Sequence, residues 1–243
     1  SVLELNRRYN SQIEDAEQIQ RNVNWDLHSV VWNNLFNFGE GNVIDFKPLN
    51  GIVGIFGKNY SGKSSIVDVI LFTLFNSTSK NVRKNLDLIN QNKDKCSATV
   101  EISVGELLYT ITRTAEKYTK KLDGEDVIEA KTLVDFSVHD ATTGIDESLN
   151  GDTRIETDKN IKKIFGTLED FLLTSMSSQL DSLSFIGKGS TDRKSILAKF
   201  LDLQVFEKKF KAAKEEASEI KAVLKRFEGI DFAAAQEESE RDV

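Results

Sequence analysis

Ile52-Val53-Gly54-Ile55-Phe56-Gly57-Lys58-Asn59-Tyr60-Ser61-Gly62-Lys63-Ser64-Ser65-Ile66-Val67-Asp68 joins an apolar run, a glycine-bounded loop ending in Lys-Ser, and the opening of an apolar helix. Gly57 to Ser64 fits G-x-x-x-x-G-K-[ST], a pattern expected by chance in roughly one random sequence in a hundred of this length. The setting narrows it further. The motif needs a strand leading in and a helix leading out, so that bent backbone N–H groups and the positive helix end converge on phosphate oxygens. Ile52 to Phe56 reads as that strand. Ser64 to Phe75, apolar on nearly every face, reads as a helix packed inside a domain. Lys63 would neutralise the β- and γ-phosphates, and the Ser64 hydroxyl would ligate Mg²⁺. The candidate nucleotide-binding residues are therefore Gly57, Asn59, Tyr60, Ser61, Gly62, Lys63, Ser64 and Ser65.

Upstream of this loop, His28 to Trp32 and Val43 to Phe46 are short β-prone runs separated by Gly- and Asn-bearing turns. Downstream, Ala98 to Val104 alternates apolar and polar, and Gly105-Glu106 joins it to Leu107 to Arg113 through a type II′ turn. Thr132 to His139 reads as a further strand, and Asp158 to Phe165 as a helix ending at Gly166. The fold class is mixed α/β with antiparallel hairpins. From Asp192 onward glycine is scarce and Ile196, Leu197, Phe200, Leu203, Phe206 and Phe210 recur three or four apart, predicting one long helix. Beyond Phe210 the apolar side thins to Ala213, Ala217, Ile220, Val223, Leu224 and Phe227, as at the root of an antiparallel coiled coil. Three regions follow: a helical extension over 1–26, a phosphate-loop lobe over 27–191, and a helix leading into a coiled coil over 192–243.

The chain has 243 residues, a formal net charge of −7 and 39% apolar residues, which is enough for a sizeable core but argues against a dedicated basic nucleic-acid-binding surface. Lys80, Arg83 and Lys84, or Lys188, Arg193 and Lys194, read as solvated surface charges before they read as DNA contacts. One cysteine, Cys96, excludes an internal disulfide and reads as a structural thiol, and two histidines give no metal-ligand cluster. No apolar run is long enough to span a membrane and no signal-peptide core is present, so the expected location is the cytoplasm, the nucleus of a eukaryote, or the host cytoplasm for a virus. Beginning at Ser1, the chain is expected to be a trimmed or processed piece whose further motifs lie elsewhere in the parent.

Three stretches carry a family resemblance. Asn34-Leu35-Phe36-Asn37-Phe38-Gly39-Glu40, followed by Val43 to Phe46, is similar to an opening N-[FL]-x-S strand and turn. The loop from Gly57 to Asp68 is similar to G-x-N-G-x-G-K-[ST]-[ST]-L-L-[DE]. Leu173 to Gln179, then Asp192-Arg193-Lys194-Ser195-Ile196-Leu197 and Phe200-Leu201, is similar to a Q-loop glutamine followed by an [ED]-R-x-x-[IL]-L helix. Together these resemble the SMC-like ATPases, above all SbcC-type double-strand-break repair exonuclease subunits and their phage recombination relatives. The resemblance covers Leu27 to Phe227.

The resemblance implies the N-terminal half of an ABC-type ATPase head binding ATP and Mg²⁺, with Gln179 reaching the metal and the attacking water. An amide oxygen does this without adding charge. Tyr60 departs from the usual glycine, and Phe36 stands where many relatives carry arginine, leaving Asn37 as the polar substitute near the nucleotide. An acidic motif ending in Asp-Glu and an L-S-G-G signature are absent, since Thr132-Leu133-Val134-Asp135 is followed by Phe136. In the family both lie beyond the coiled coil. The implied partners are the C-terminal half of the same head, a second head in an ATP-bound homodimer, DNA and a nuclease subunit, with no membrane. Hydrolysis is expected only once the head is completed, and this chain alone is expected to be weak or inactive. An SMC-type condensing ATPase is the nearest alternative. A self-contained phosphate-loop kinase or GTPase, or a structural coiled coil, are readings from other classes.

Overall fold

The computed structural model describes residues 1–14, 24–59, 61–79, 85–122, 125–175, 184–201 and 203–227. The chain divides into two compact units: residues 19–188, and residues 1–18 with 189–243.

The larger unit is built on a six-stranded antiparallel sheet in the order β2-β1-β3-β4-β5-β6. Its strands are β1 (Asp26–Asn33), β2 (Asn42–Asp45), β3 (Lys95–Val104), β4 (Leu107–Leu122), β5 (Glu125–Asp140) and β6 (Ile145–Ser148). Period-2 alternation sends one side of β1, β3, β4 and β5 inward. Val30 faces Val100, which faces Ile111, which faces Phe136 across four successive strands. All four are fully buried. Each such side chain stabilises the fold by about 1.5–3 kcal/mol through area removed from water. On the opposite face the pairs are polar, as with Thr99 and Thr112, whose hydroxyls lie 2.9 Å apart.

Helix α2 (Ser65–Phe75) lies on the inward face, burying Val69, Leu71, Phe72 and Leu74. It ends at Asn76, whose left-handed conformation stops the helix. Around the same core run α3 (Asn85–Leu88), α4 (Arg154–Phe165) and α5 (Leu168–Thr174), and a short α6 (Ser184–Gly187) follows. Thr153 with Glu156, and Thr167 with Asp170, form reciprocal capping boxes that fix the starts of α4 and α5.

The smaller unit contains α1 (Val2–Glu14), α7 (Ser190–Phe200) and α8 (Gln204–Phe227). The single helix expected from Asp192 is thus two. Leu203 N donates to the carbonyl of Ala198, five residues back, a wide turn that closes α7 before α8 begins.

The two-residue turn at Gly105 is present with positive φ, and β4 and β5 extend well past their expected ends as one long hairpin. One expected strand is missing. Gly51 to Phe56 forms no ladder with any described strand. Ile52, Val53, Ile55 and Phe56 lie exposed, Phe56 at 94%. A β-prone sequence becomes a strand only against a partner that takes its backbone groups, and no described strand pairs with this run.

Candidate nucleotide site

The loop from Gly57 to Ser64 closes on itself through backbone bonds. Ser61 N donates to Lys58 O at 3.3 Å, and Ser65 N to Gly62 O at 2.9 Å as α2 begins. Two glycines lie close to neighbouring side chains. A Cβ on Gly57 would come within 2.9 Å of the Ser61 hydroxyl. Gly62 has φ +90, and a Cβ there would meet the Phe38 ring at 2.9 Å.

Lys63 folds back over the loop, its Nζ donating to the carbonyls of Gly57 at 2.8 Å and Lys58 at 2.6 Å. The ammonium is therefore held at the concave side of the loop by neutral acceptors, which anionic phosphate oxygens would replace with stronger charge-assisted bonds. Ser64 stands at the N-cap of α2 in helical conformation, and its hydroxyl makes no capping bond. That oxygen is suited to a hard divalent cation, which takes oxygen ligands. Ser65 opens the helix, and Asn59 and Ser61 are exposed on the loop. Tyr60 and Gln179 lie outside the described residues.

Asn37 is exposed within the 34–40 turn, which the fold brings against the phosphate loop through Phe38. That turn is tightly held. Asn34 N donates to Gly39 O at 2.8 Å, Phe36 N to Leu88 O at 2.8 Å, and the Asn90 amide to Phe38 O at 3.1 Å. Phe36 is buried in the core at 8% exposure, so position 36 offers no phosphate contact, in line with its departure from the family arginine. Phe38 packs edge-on against Trp32 of β1 at 5.2 Å, so sheet, turn and phosphate loop form one chain of contacts.

Behind α2 lies a fully buried arginine. Arg113 Nε donates to the carbonyl of Thr73, in the last turn of α2, at 3.0 Å, and Nη2 donates to Asp158 of α4 at 2.7 Å. Burial pushes its pKa down and Asp158 opposes the shift. A cation at a helix C-terminus also complements the helix dipole. Neither Arg113 nor Phe38 was marked by the motif. For Arg113 a signal exists, because it falls on the inward parity of β4 between Ile111 and Ala115. For Phe38 a single sequence offers none.

Beside the exposed Ile52–Phe56 run opens an apolar groove of about 880 Å³, whose lining includes Leu27, Ile44, Phe46, Val53, Ile55 and Ile70. Among the described residues no His, Cys, Asp and Glu cluster suits a metal, and no helix is long and apolar enough to cross a membrane.

The AAA_23 family model, an AAA domain, matches residues 29–242. The chain is 31% identical over 211 residues to the uncharacterized protein R555 of Acanthamoeba polyphaga mimivirus, covering 84% of this chain and 15% of that protein. It is 24% identical over 200 residues to the SbcC component of the SbcCD nuclease of Lactococcus lactis, covering 80% and 19%. It is 25% identical over 193 residues to the DNA double-strand break repair Rad50 ATPase of Thermoplasma acidophilum, covering 79% and 19%. The chain thus spans less than a fifth of the length of each of these relatives. The chain belongs to the AAA domain family and is related to the SbcC- and Rad50-type ATPases, as its phosphate loop and the sequence flanking Gln179 had implied.

Proposed function

We propose that this chain is the N-terminal, ATP-binding half of a split ATPase head in a DNA double-strand-break repair or recombination machine. The observation that carries this reading is the apolar Ile52–Phe56 run, exposed and without a described strand partner immediately before the phosphate loop. Such a run beside an apolar groove is a surface fitted to pairing strands that the described residues do not supply. Its completion by strands of the C-terminal half would bury both, and would bring in the acidic and signature motifs that this chain lacks.

In this reading Lys63 leaves the carbonyls of Gly57 and Lys58 for the β- and γ-phosphates. The backbone of Gly57 to Ser65 cradles the phosphates, with Asn59, Tyr60, Ser61 and Asn37 at the rim. Ser64 and Gln179 would hold Mg²⁺, which would supply positive charge against the phosphates. Water adds to the γ-phosphorus as the bond to ADP breaks, and the base that takes its proton comes from the other half. Two completed heads close over two ATP molecules, and that closure controls a nuclease subunit on DNA. The stripe on α8 from Phe206 to Leu224 is the start of the coiled coil that links the halves.

The test is MgATP binding by calorimetry and steady-state turnover, with this chain alone and mixed with its C-terminal half. Turnover is expected only in the mixture. Lys63→Ala removes charge-assisted bonds worth about 1.5–3 kcal/mol, weakening binding about ten- to hundredfold and abolishing turnover. Brisk hydrolysis by this chain alone would overturn the split-head reading.

A further inference from the structure

Helix α1 lies outside residues 29–242, the part that the family model matches, yet it has a defined seat on α8 within the smaller unit. Glu216 is the key to that seat. Its carboxylate accepts from Arg8 Nη2 at 2.5 Å and from the Tyr9 hydroxyl. One turn earlier on α1, Asn6 accepts from Lys209 Nζ at 2.9 Å. Contacts ascend together along both helices. The pKa of Glu216 is held below the usual carboxylate range by the Tyr9 hydroxyl first and Arg8 second, so the latch is closed with an ionised carboxylate at neutral pH.

The contacts fall on one side of α8. Val205, Lys209, Ala212, Ala213 and Glu216 are its half-buried positions, spaced as one helical face. Phe206, Phe210 and Leu224 occupy the adjoining face, and Ile220 lies one turn beyond Glu216 at the boundary between the two; with α1 in place they remain exposed at 63%, 65%, 59% and 54%. The latched flank and the apolar stripe adjoin, and α1 takes the flank over Val205 to Glu216 while leaving the stripe residues uncovered.

We propose that α1 is a third helix at the root of the coiled coil, latched to one flank of α8 by Glu216 and compatible with the helix that returns along the apolar stripe. The occupant of the stripe rests on the split-head reading: it is the returning helix of the C-terminal half. Relatives more than five times longer than the matched segment have ample chain to supply one. Exposed apolar residues at three- and four-residue spacing are the seam that such a helix seeks. The consequence is a three-helix root, with residues 1–14 stiffening α8 along its first turns.

The experiment pairs Asn6→Cys with Lys209→Cys in the full chain carrying Cys96→Ser, and follows cross-linking by a short bismaleimide. It is run with the chain alone and with the C-terminal half, whose association is followed by gel filtration and turnover. Cross-linking at equal rates in both states is expected, and adding Glu216→Ala is expected to slow it about two- to fivefold, the range of an exposed ion pair. No cross-link in the chain alone overturns the α1 seat. A cross-link that disappears when the C-terminal half binds overturns the three-helix root, because α1 would then be holding the stripe in place of the returning helix. A rate unchanged by Glu216→Ala overturns the latch. If the halves do not associate while the cross-link persists, the split-head reading fails and the three-helix root fails with it, a result distinct from loss of the seat.

Discussion

Two runs of nearly the same chemistry have opposite fates in this molecule. Val100 and Ile102 of β3 are fully buried between β1 and β4, whereas Ile52, Val53, Ile55 and Phe56 stand in solvent. Both are β-prone and apolar. The difference is the neighbour: β3 has a strand on each side to take its backbone groups, and the 51–56 run has none among the described residues. Burial is thus a property of the assembled sheet: a run with a strand on each side becomes core, and a run of the same chemistry without one stays exposed.

The sharpest way to break this comparison is to remove the pin that ties the finished side to the helix of the phosphate loop. Arg113 bonds the end of α2 and Asp158 of α4 while wholly buried. Arg113→Met leaves the Thr73 carbonyl and Asp158 without their donor, and breaking a buried pair in this way costs about 3–5 kcal/mol. Urea denaturation should register that loss. A loss under about 1 kcal/mol would mean that solvent already satisfies these groups.

The direct contrast comes next. Ile102→Ala should destabilise the chain by about 2–5 kcal/mol through lost transfer energy and the cavity left behind. Ile55→Ala should stay within about 0.5 kcal/mol of the parent. Ile55→Asp sharpens the point, since it should fold normally alone and yet fail to restore turnover when mixed with the C-terminal half. Equal destabilisation by Ile55→Ala and Ile102→Ala would show the run to be packed in solution, and the comparison would fall.

How far all this could be read from the sequence depends on whether the cause is local. The Gly105 turn, the Gly166 helix stop and the alternation of β3 are written in adjacent residues, and each appears where the sequence puts it. The missing 51–56 strand is a non-local failure, because propensity describes a strand but pairing creates one. The long β4–β5 hairpin was underestimated for a related reason. Lys117 to Leu122 and Glu125 to Ala130 are largely polar and exposed, and hold their extended form through cross-strand pairing that hydropathy does not register. The break between α7 and α8 carries no Gly or Pro. Tyr60 and Gln179 lie outside the described residues, so the roles that the family pattern implies for them rest on sequence.

A smaller effect tests the junction between the two regions, where the Phe38 ring meets Gly62. Gly62→Ala must hold φ near +90 and also displace that ring. A left-handed conformation costs about 1–2 kcal/mol for a residue with a Cβ, and should appear as weaker MgATP binding with little change in melting temperature. Phe38→Ala removes the steric part but not the backbone part, so the double variant should bind better than Gly62→Ala alone. The coupling expected for groups in contact is about 0.5–3 kcal/mol. Strict additivity would mean that Phe38 does not bear on the loop.

The smallest effect is silent at neutral pH and reports only on the finished side. Cys96 sits at 1% exposure near the start of β3, and burial pushes its pKa up to about 11. The folded state therefore keeps the proton that an unfolded thiol releases near its ordinary value of 9.0. Above that value the unfolded chain binds fewer protons than the folded one, so stability falls as pH rises toward 11 and is unaffected below. Cys96→Ser should remove this alkaline slope while leaving Ile55 and its neighbours as exposed as before. At pH 8 the native thiol should react with a disulfide reagent only as fast as the sheet opens, because the thiolate is the nucleophile and burial withholds it. Stoichiometric reaction within the mixing time, without loss of structure, would mean that β1, β3 and β4 do not close over position 96, and the contrast between paired and unpaired runs would lose its buried member.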